Sequence, residues 1–522
     1  MHPPRTPAET EAVLAAELRT ARPALLSPYA AGLPGARAAV LTRLWRGLAH
    51  EPLPWVTRRE RAGHDGLVLR LADGRRLRGP ASDAYATAAT VTEVELDGTA
   101  YDHPAGLMTA LGLPHAHAFA AELDHSVASL ALSRANQPAM ASPCTSREWE
   151  QRVVDGHPFH PNCRSRPGFS VAEQLAYAPE HRAEVELGMV AVPEDTCLVR
   201  GAWPYREAGR VLIPVHPWQA RHMLKDERAV GEGVAEESMA AHPLMSLRTL
   251  ALPDGPHVKT ALSARLTSSV RDISVYSIES ATAVSAFMEA MAERMDGLLH
   301  ITRTLGAVTA NTPDLAAVLR ESPDAYAGAG ERVVPVAALA STVLPRSPAW
   351  LAEFSRLALT VGLRLLDLGV ALEAHGQNLL VVLSPAGVPL RLVYRDLADI
   401  RISPARLARH GIPAPDLTGR IVTDDESVLR SKLFGSLIAG ALAATAGSAT
   451  ALRAALTTAV RDLPRGPDLT ALLEEPLPAK ALTTMRLSPE RPGDIWARLP
   501  NPLVDQDPAP GRDPDPVPRP SF

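Results

Sequence analysis

The apolar residues of this chain fall into long stretches of helical spacing near both ends, with shorter β-compatible runs between them. Val13, Leu14, Leu18, Leu25, Leu26, Leu41 and Leu44 predict helix over residues 7–50. Thr6-Pro-Ala-Glu9 offers an N-cap, a proline at the first helical position and a capping-box glutamate. Leu67–Leu71, a turn at Ala72-Asp-Gly74 and Arg76–Arg78 predict a hairpin, and residues 105–137 return to helix. Between about 142 and 280, Arg210–Val215 and Val258–Leu266 read as strands. Ala283, Phe287, Met288, Met291 and Met295 predict a core helix across 281–306, and another long helix covers 350–370. Leu379–Leu383, a turn at Ser384–Val388 and Leu390–Tyr394 form a second hairpin, followed by helices to about 475. The tail from Asp505, full of Asp-Pro and Arg-Pro pairs, reads as disordered.

One uncharged run, Leu433–Leu452, reaches membrane-spanning length, but its Ala, Gly, Ser and Thr content predicts a buried, closely packed helix. With 522 residues and a net charge of −5, the chain has no nucleic-acid footprint, and anionic ligands must be met by local basic clusters. Three cysteines (Cys144, Cys163, Cys197) and no secretory signature predict a cytoplasmic protein without a disulfide framework, a membrane or a nucleic-acid partner.

Four segments carry candidate chemistry. In Asp155–Phe169, Pro158 and Pro161 hold His157 and His160 in extended backbone, where a threefold repeat projects both from one side, with Arg164 and Arg166 just downstream. Ser246-Leu-Arg-Thr249 precedes Lys259, Arg265 and Arg271, cations set among apolar residues and the hydroxyls of Thr267 and Ser268. Such cations need partners, either acidic side chains or a ligand with several carboxylates or phosphates. Glu373-Ala-His-Gly-Gln-Asn378 ends an apolar helix, with Gly376 suited to a left-handed C-cap. Arg395-Asp396 closes the second hairpin, which brings Asp396 towards Gln377 and Asn378 as oxygen ligands suited to Mg²⁺. A zinc site of His157, His160 and His216 would be opposed by the adjacent arginines and lacks HExxH. No GxSxG elbow or Walker A sequence is present.

In this order, Gly156-His-Pro-Phe-His-Pro161, Val215-His-Pro-Trp-Gln219, Ser246-Leu-Arg-Thr249, Lys259-Thr-Ala-Leu-Ser263, Leu266–Arg271, Glu373–Asn378, Arg395-Asp396, Lys480–Leu487 and Asn501-Pro-Leu503 resemble the NRPS-independent siderophore synthetases of the aerobactin-synthetase type. The resemblance spans about 142–503. It implies an α+β, cupped-hand fold: a mostly helical thumb (1–141), β-rich fingers (142–340), a largely helical palm with a small sheet (341–503) and a disordered tail (504–522). It further implies a homodimeric, ATP- and Mg²⁺-dependent ligase. A carboxylate of citrate or a related acid would be adenylated, and an amine or hydroxyl would then displace AMP. Carried over residue by residue, the resemblance gives phosphate-binding and catalytic roles to His157, Lys259 and Arg271. Polycarboxylate contacts fall on Ser246, Arg248, Thr267, Arg271 and His375, with Glu373 orienting His375 or receiving the amine. Nucleotide contacts fall on His160, Arg164, Gln377, Asn378 and Asp396, the last also holding Mg²⁺. The family commonly has Lys where Arg164 stands. A non-catalytic citrate or nucleotide sensor and a zinc hydrolase are the alternative readings.

Overall fold

The computed structural model describes residues 8–504 apart from 64, 89, 138–141, 225–233, 254, 267–268 and 492. Its first helix runs Glu9–Ala21 with Ala8 at the N-cap, so the expected cap at Thr6 lies outside the described residues, as does the tail from Asp505. Pro23 breaks the predicted 7–50 helix, which resumes as Leu26–His50 and packs against Ala116–Ala135. The region expected to be mostly helical also holds a five-stranded antiparallel meander, in which the foreseen hairpin (Gly66–Leu71, Arg76–Pro80) is flanked by Val56–Ala62, Val94–Leu96 and Thr99–Tyr101. Leu69 and Leu77 pair across it and bury their side chains against Leu44 and Trp45 of the helix layer.

Among the described residues the middle of the chain builds a nine-stranded antiparallel sheet. Its spatial order is Leu198–Gly201, Thr304–Thr309, Ala316–Arg320, His257–Thr260, Thr249–Ala251, Val234–Pro243, Val185–Pro193, Arg210–Val215 and Arg206–Glu207. Two sequence expectations fail here. The single strand read over Val258–Leu266 is two, His257–Thr260 and Leu262–Leu266, in different sheets. The helix read across 281–306 ends at Glu293. Gly297 takes a positive φ of 77°, and Leu299–Ile301 then joins another sheet. The methionine stripe is nonetheless core, since Met288, Met291 and Met295 are buried.

That other sheet has four strands, ordered Leu299–Ile301, Pro389–Tyr394, Leu379–Leu383 and Arg332–Pro335, with the first pair parallel. Two of its strands precede residue 341, so the sheet crosses the boundary that the sequence placed between fingers and palm. Pro348–Leu368 lies against it and stops at Gly369, whose φ of 108° supplies the left-handed cap. The uncharged run from Leu433 belongs to a continuous Glu426–Ala446 helix, long and apolar enough by composition to cross a membrane. Here it packs Leu433, Leu437, Ile438 and Leu442 into the main core and ends at Gly447.

Candidate active site

Strand alternation sorts the nine-stranded sheet into two faces. Val258 pairs with Leu319 and Leu250, and all three enter the apolar core. One residue along, Lys259 pairs with Val318 and Thr249, and His257 pairs with Arg320, so the cations share the opposite face. Asp396 meets that face from the end of the Pro389–Tyr394 strand, where its backbone turns left-handed (φ 67°). Lys259 donates to both Asp396 oxygens at 2.8 Å, and Arg320 to one at 3.1 Å. Burial alone would raise the Asp396 pKa, but Lys259, Arg320 and Arg248 outweigh it and hold the carboxyl well below its usual range. Lys259 is pulled down to about 7, first by burial and then by Arg248 and Arg320, against the attraction of Asp396. Arg320 was not singled out in the sequence. Its one signal is a charge ending the apolar run Ala316–Leu319.

Arg248 and Arg271 flank this pair. Arg248 donates to the carbonyls of Arg271 and Asp272, both at 2.6 Å, and burial lowers its pKa to about 10. Among the described residues the Arg271 guanidinium donates to the Leu266 carbonyl alone, at 3.4 Å. Among the described residues neither guanidinium has a carboxylate within 4 Å. Ser246 accepts the Thr249 N–H at 3.1 Å and so shapes the turn that carries Arg248. Thr267 and Ser268 lie outside the described residues.

The Glu373–Asn378 loop enters from the four-stranded sheet. Gly376 is not the left-handed cap expected of it, because Gly369 fills that role. A Cβ on Gly376 would lie 2.9 Å from the Ala337 nitrogen, whose N–H its carbonyl accepts at 2.8 Å. Close approach of two backbones is therefore what requires glycine. Glu373 Oε1 accepts from Lys480 at 2.9 Å and from Lys432 at 3.2 Å. Burial, which raises the Glu373 pKa, is outweighed by Lys480, His375 and Lys432, and the value settles at about 2. Neither lysine was a predicted site residue. Asp396 follows a strand end paired to Asn378, as the hairpin predicts, but its oxygens are engaged by cations rather than grouped with Gln377 and Asn378. The Gln377 carbonyl accepts from Arg395, Asn378 donates to the Glu373 carbonyl at 3.3 Å, and Asp396 is taken by its two cations. Arg395 in turn forms a 2.7 Å ion pair with buried Glu150.

His157 and His160 do stand together, ring centroids 6.1 Å apart. His157 is exposed, whereas His160 is buried and its Nε2 has no hydrogen-bond partner among the described residues. Although its surface stays open to solvent, protein atoms crowd the His157 ring and, with the charges of His375, Arg43, Arg46 and Lys480, lower its pKa, so the first segment and the Glu373–Asn378 loop act on each other. Arg164, expected at the nucleotide, is corrected to a buried structural residue. It donates to the carbonyls of Val153 and Val154 and sits 3.6 Å from Glu180, which also pairs with Arg166 at 2.8 Å. The zinc reading fails as well: His216 packs edge-on to Tyr177, and the three histidines do not form a ligand cluster among the described residues. A shared device holds the histidines. Nδ1 of His157, His160, His216 and His375 each accepts the backbone N–H two residues on, at 3.0–3.3 Å.

Two other features do not extend the site. Glu11, His103 and Asp124 cluster their donor atoms within 4.8 Å, yet Arg37 forks onto Glu11, and His103 Nδ1 accepts the Ala105 N–H. That network is closed by protein donors. A hollow of about 540 Å³ between Thr342, Arg346 and Ser448 contains none of the residues above.

Residues 145–341 match the family described as the IucA / IucC family, and residues 348–495 match the ferric iron reductase FhuF-like transporter family. A citryl-spermidine/3,4-dihydroxybenzoyl-citryl-spermidine:spermidine ligase of Bacillus anthracis is 26% identical over 48% of this chain and 51% of its own. The first two curated relatives are thus matched over 51% and 62% of their lengths, about half to three-fifths. Among solved structures, the petrobactin biosynthesis protein AsbB of Bacillus anthracis superposes with a TM-score of 0.76 at 18% identity, covering 96% of this chain and 98% of that one. The ATP-bound aerobactin synthetase IucA of Klebsiella pneumoniae gives 0.68 at 18% identity, covering 90% and 99%. These likenesses establish the α+β fold.

Proposed function

We propose, from the match of residues 145–341 to the IucA / IucC family, that the chain is an ATP-dependent, AMP-forming ligase of siderophore synthesis. Its substrates are citrate or a related polycarboxylate and an amine or hydroxyl acceptor. A substrate carboxylate oxygen attacks the α-phosphorus of ATP, the bond to the bridging oxygen breaks, and pyrophosphate leaves. The acceptor nitrogen or oxygen then attacks the acyl carbon, AMP departs with the bonding electron pair, and the acceptor loses one proton. The first step brings two anions together, and the second develops negative charge on the acyl oxygen and the departing AMP, so the site must supply fixed positive charge at both.

The observation that carries this reading is the cationic sheet face. Lys259 and Arg320 share one carboxylate, Asp396, while Arg248 and Arg271 beside them have none within 4 Å among the described residues. We assign Arg248 and Arg271, with Ser246, to the polycarboxylate, and Lys259 and His157 to the phosphates. We assign His375 to the polycarboxylate as well, and Gln377 and Asn378 to the nucleotide. Mg²⁺ belongs to this proposal as a companion of ATP on its phosphate oxygens. Asp396 is engaged by two cations, so among the described residues it stands in ion pairs rather than in an oxygen cage, and no step is routed through the ion. The thumb, fingers and palm division, a homodimer and a cytoplasmic location are parts of the same proposal.

The test is citrate-dependent exchange of pyrophosphate into ATP, followed by AMP release and product mass with a panel of acids and amines. Nucleotide binding without exchange or AMP would identify a non-catalytic binder instead.

A further inference from the structure

The middle of the Glu426–Ala446 helix, Phe434–Leu442, is π-helical. Such turns are rare and concentrate at functional sites, because each gives up regular packing to re-aim nearby groups. The wider turn accompanies a close approach: a Cβ on Gly435 would collide with the Trp496 indole from the C-terminal Trp496–Leu499 strand. At this point Ser436 spends its one hydroxyl proton on the Lys432 carbonyl at 2.6 Å. Its oxygen is left to accept the N–H of Ala374, a buried residue between Glu373 and His375, at 2.8 Å. One turn earlier, Lys432 Nζ donates to Glu373 at 3.2 Å. A single helix face thus holds the loop by a backbone donor and by a side-chain carboxylate.

We propose that Ser436 and Lys432, set by the π-helical turn, are positioning residues for the Glu373–His375 segment. Ser436 fixes where the loop backbone runs, and Lys432 fixes where the Glu373 carboxylate sits. The consequence for catalysis rests on the function proposed above, whereas the placement itself does not.

Two arms keep these apart. In the first, amide hydrogen exchange followed by mass spectrometry compares Ser436→Ala, Ser436→Thr and the unsubstituted chain. The peptide over residues 372–378 is expected to exchange at least ~10-fold faster in Ser436→Ala and to recover in Ser436→Thr, with Leu379–Leu383 protected throughout. No local change, or equal acceleration in Leu379–Leu383, overturns the proposal without reference to activity. In the second arm, kcat for pyrophosphate exchange is expected to fall roughly 10-fold in Ser436→Ala and in Lys432→Met, with KM for the acid within about twofold, and to return in Ser436→Thr. A loosened loop with unchanged kcat overturns the link between loop order and reaction.

Discussion

Lys259 places its ammonium 2.8 Å from each carboxylate oxygen of Asp396, joining a strand of the nine-stranded sheet to the end of a hairpin 137 residues away. Replacing Lys259 with Met leaves Asp396 with Arg320 as its one direct ion-pair partner among the described residues. Because the Asp396 side chain keeps 31% of its exposure, the expected loss of stability is modest, about 1–2 kcal/mol. The expected loss of pyrophosphate exchange is far larger, at least ~100-fold, as for removal of a charge-stabilising donor. Urea unfolding and exchange rates on the same protein check both.

Arg271 presents the opposite balance. Among the described residues its guanidinium makes one hydrogen bond, a 3.4 Å contact to the Leu266 carbonyl. Arg271→Ala should therefore change stability by less than about 1 kcal/mol while abolishing adenylate formation. Retention of ordinary exchange activity in a folded variant would refute the role given to this side chain.

Acid should weaken the fold in two stages. Burial lowers the pKa values of His216 and His257 to about 3, below the roughly 6.5 of an unfolded histidine. Their contribution is complete above that unfolded value and is lost as pH falls towards 3. Glu373, held at about 2, acts later. Its contribution is full above the unfolded value of about 4.3 and disappears as pH drops towards 2. Unfolding free energies measured in pH steps should show the first decline shrinking in His216→Asn and the second in Glu373→Gln. Identical pH profiles for all three proteins would contradict these assignments.

Gly376→Ala tests the close backbone contact. The added methyl meets the Ala337 nitrogen at 2.9 Å, with backbone rather than a flexible side chain in the way. A loss of about 1–3 kcal/mol is expected, together with impaired exchange activity, because the displaced loop carries His375. Thermal unfolding beside activity measures both.

Periodicity made the helices and hairpins legible, because Leu69 opposite Leu77 and the Pro348–Leu368 stripe each answer to one nearby partner. It misread Val258–Leu266 and 281–306, where a continuous apolar signal conceals a change of sheet at Ala261 and a left-handed turn at Gly297. For the site, motif order brought His157, Lys259, Arg271, His375 and Asp396 to notice. It could not distinguish Arg164, sealed against Glu180, from Arg271, because burial and pairing depend on residues remote in sequence. Lys432 carried no local pattern of its own, Arg320 only a charge at the end of an apolar run, and Lys480 only its place at the start of a motif; the carboxylates they meet gave them their place in the site.

The backbone N–H held by Nδ1 of His157 and of His375 decides which way each imidazole can act. A ring nitrogen that accepts is unprotonated, so the neutral ring carries its hydrogen on Nε2. In that tautomer neither ring can take the acceptor's proton through Nε2. Each can instead offer a hydrogen to an oxygen gaining negative charge, so within the proposed reaction their role is to stabilise an oxyanion, and deprotonation falls to another group or to water.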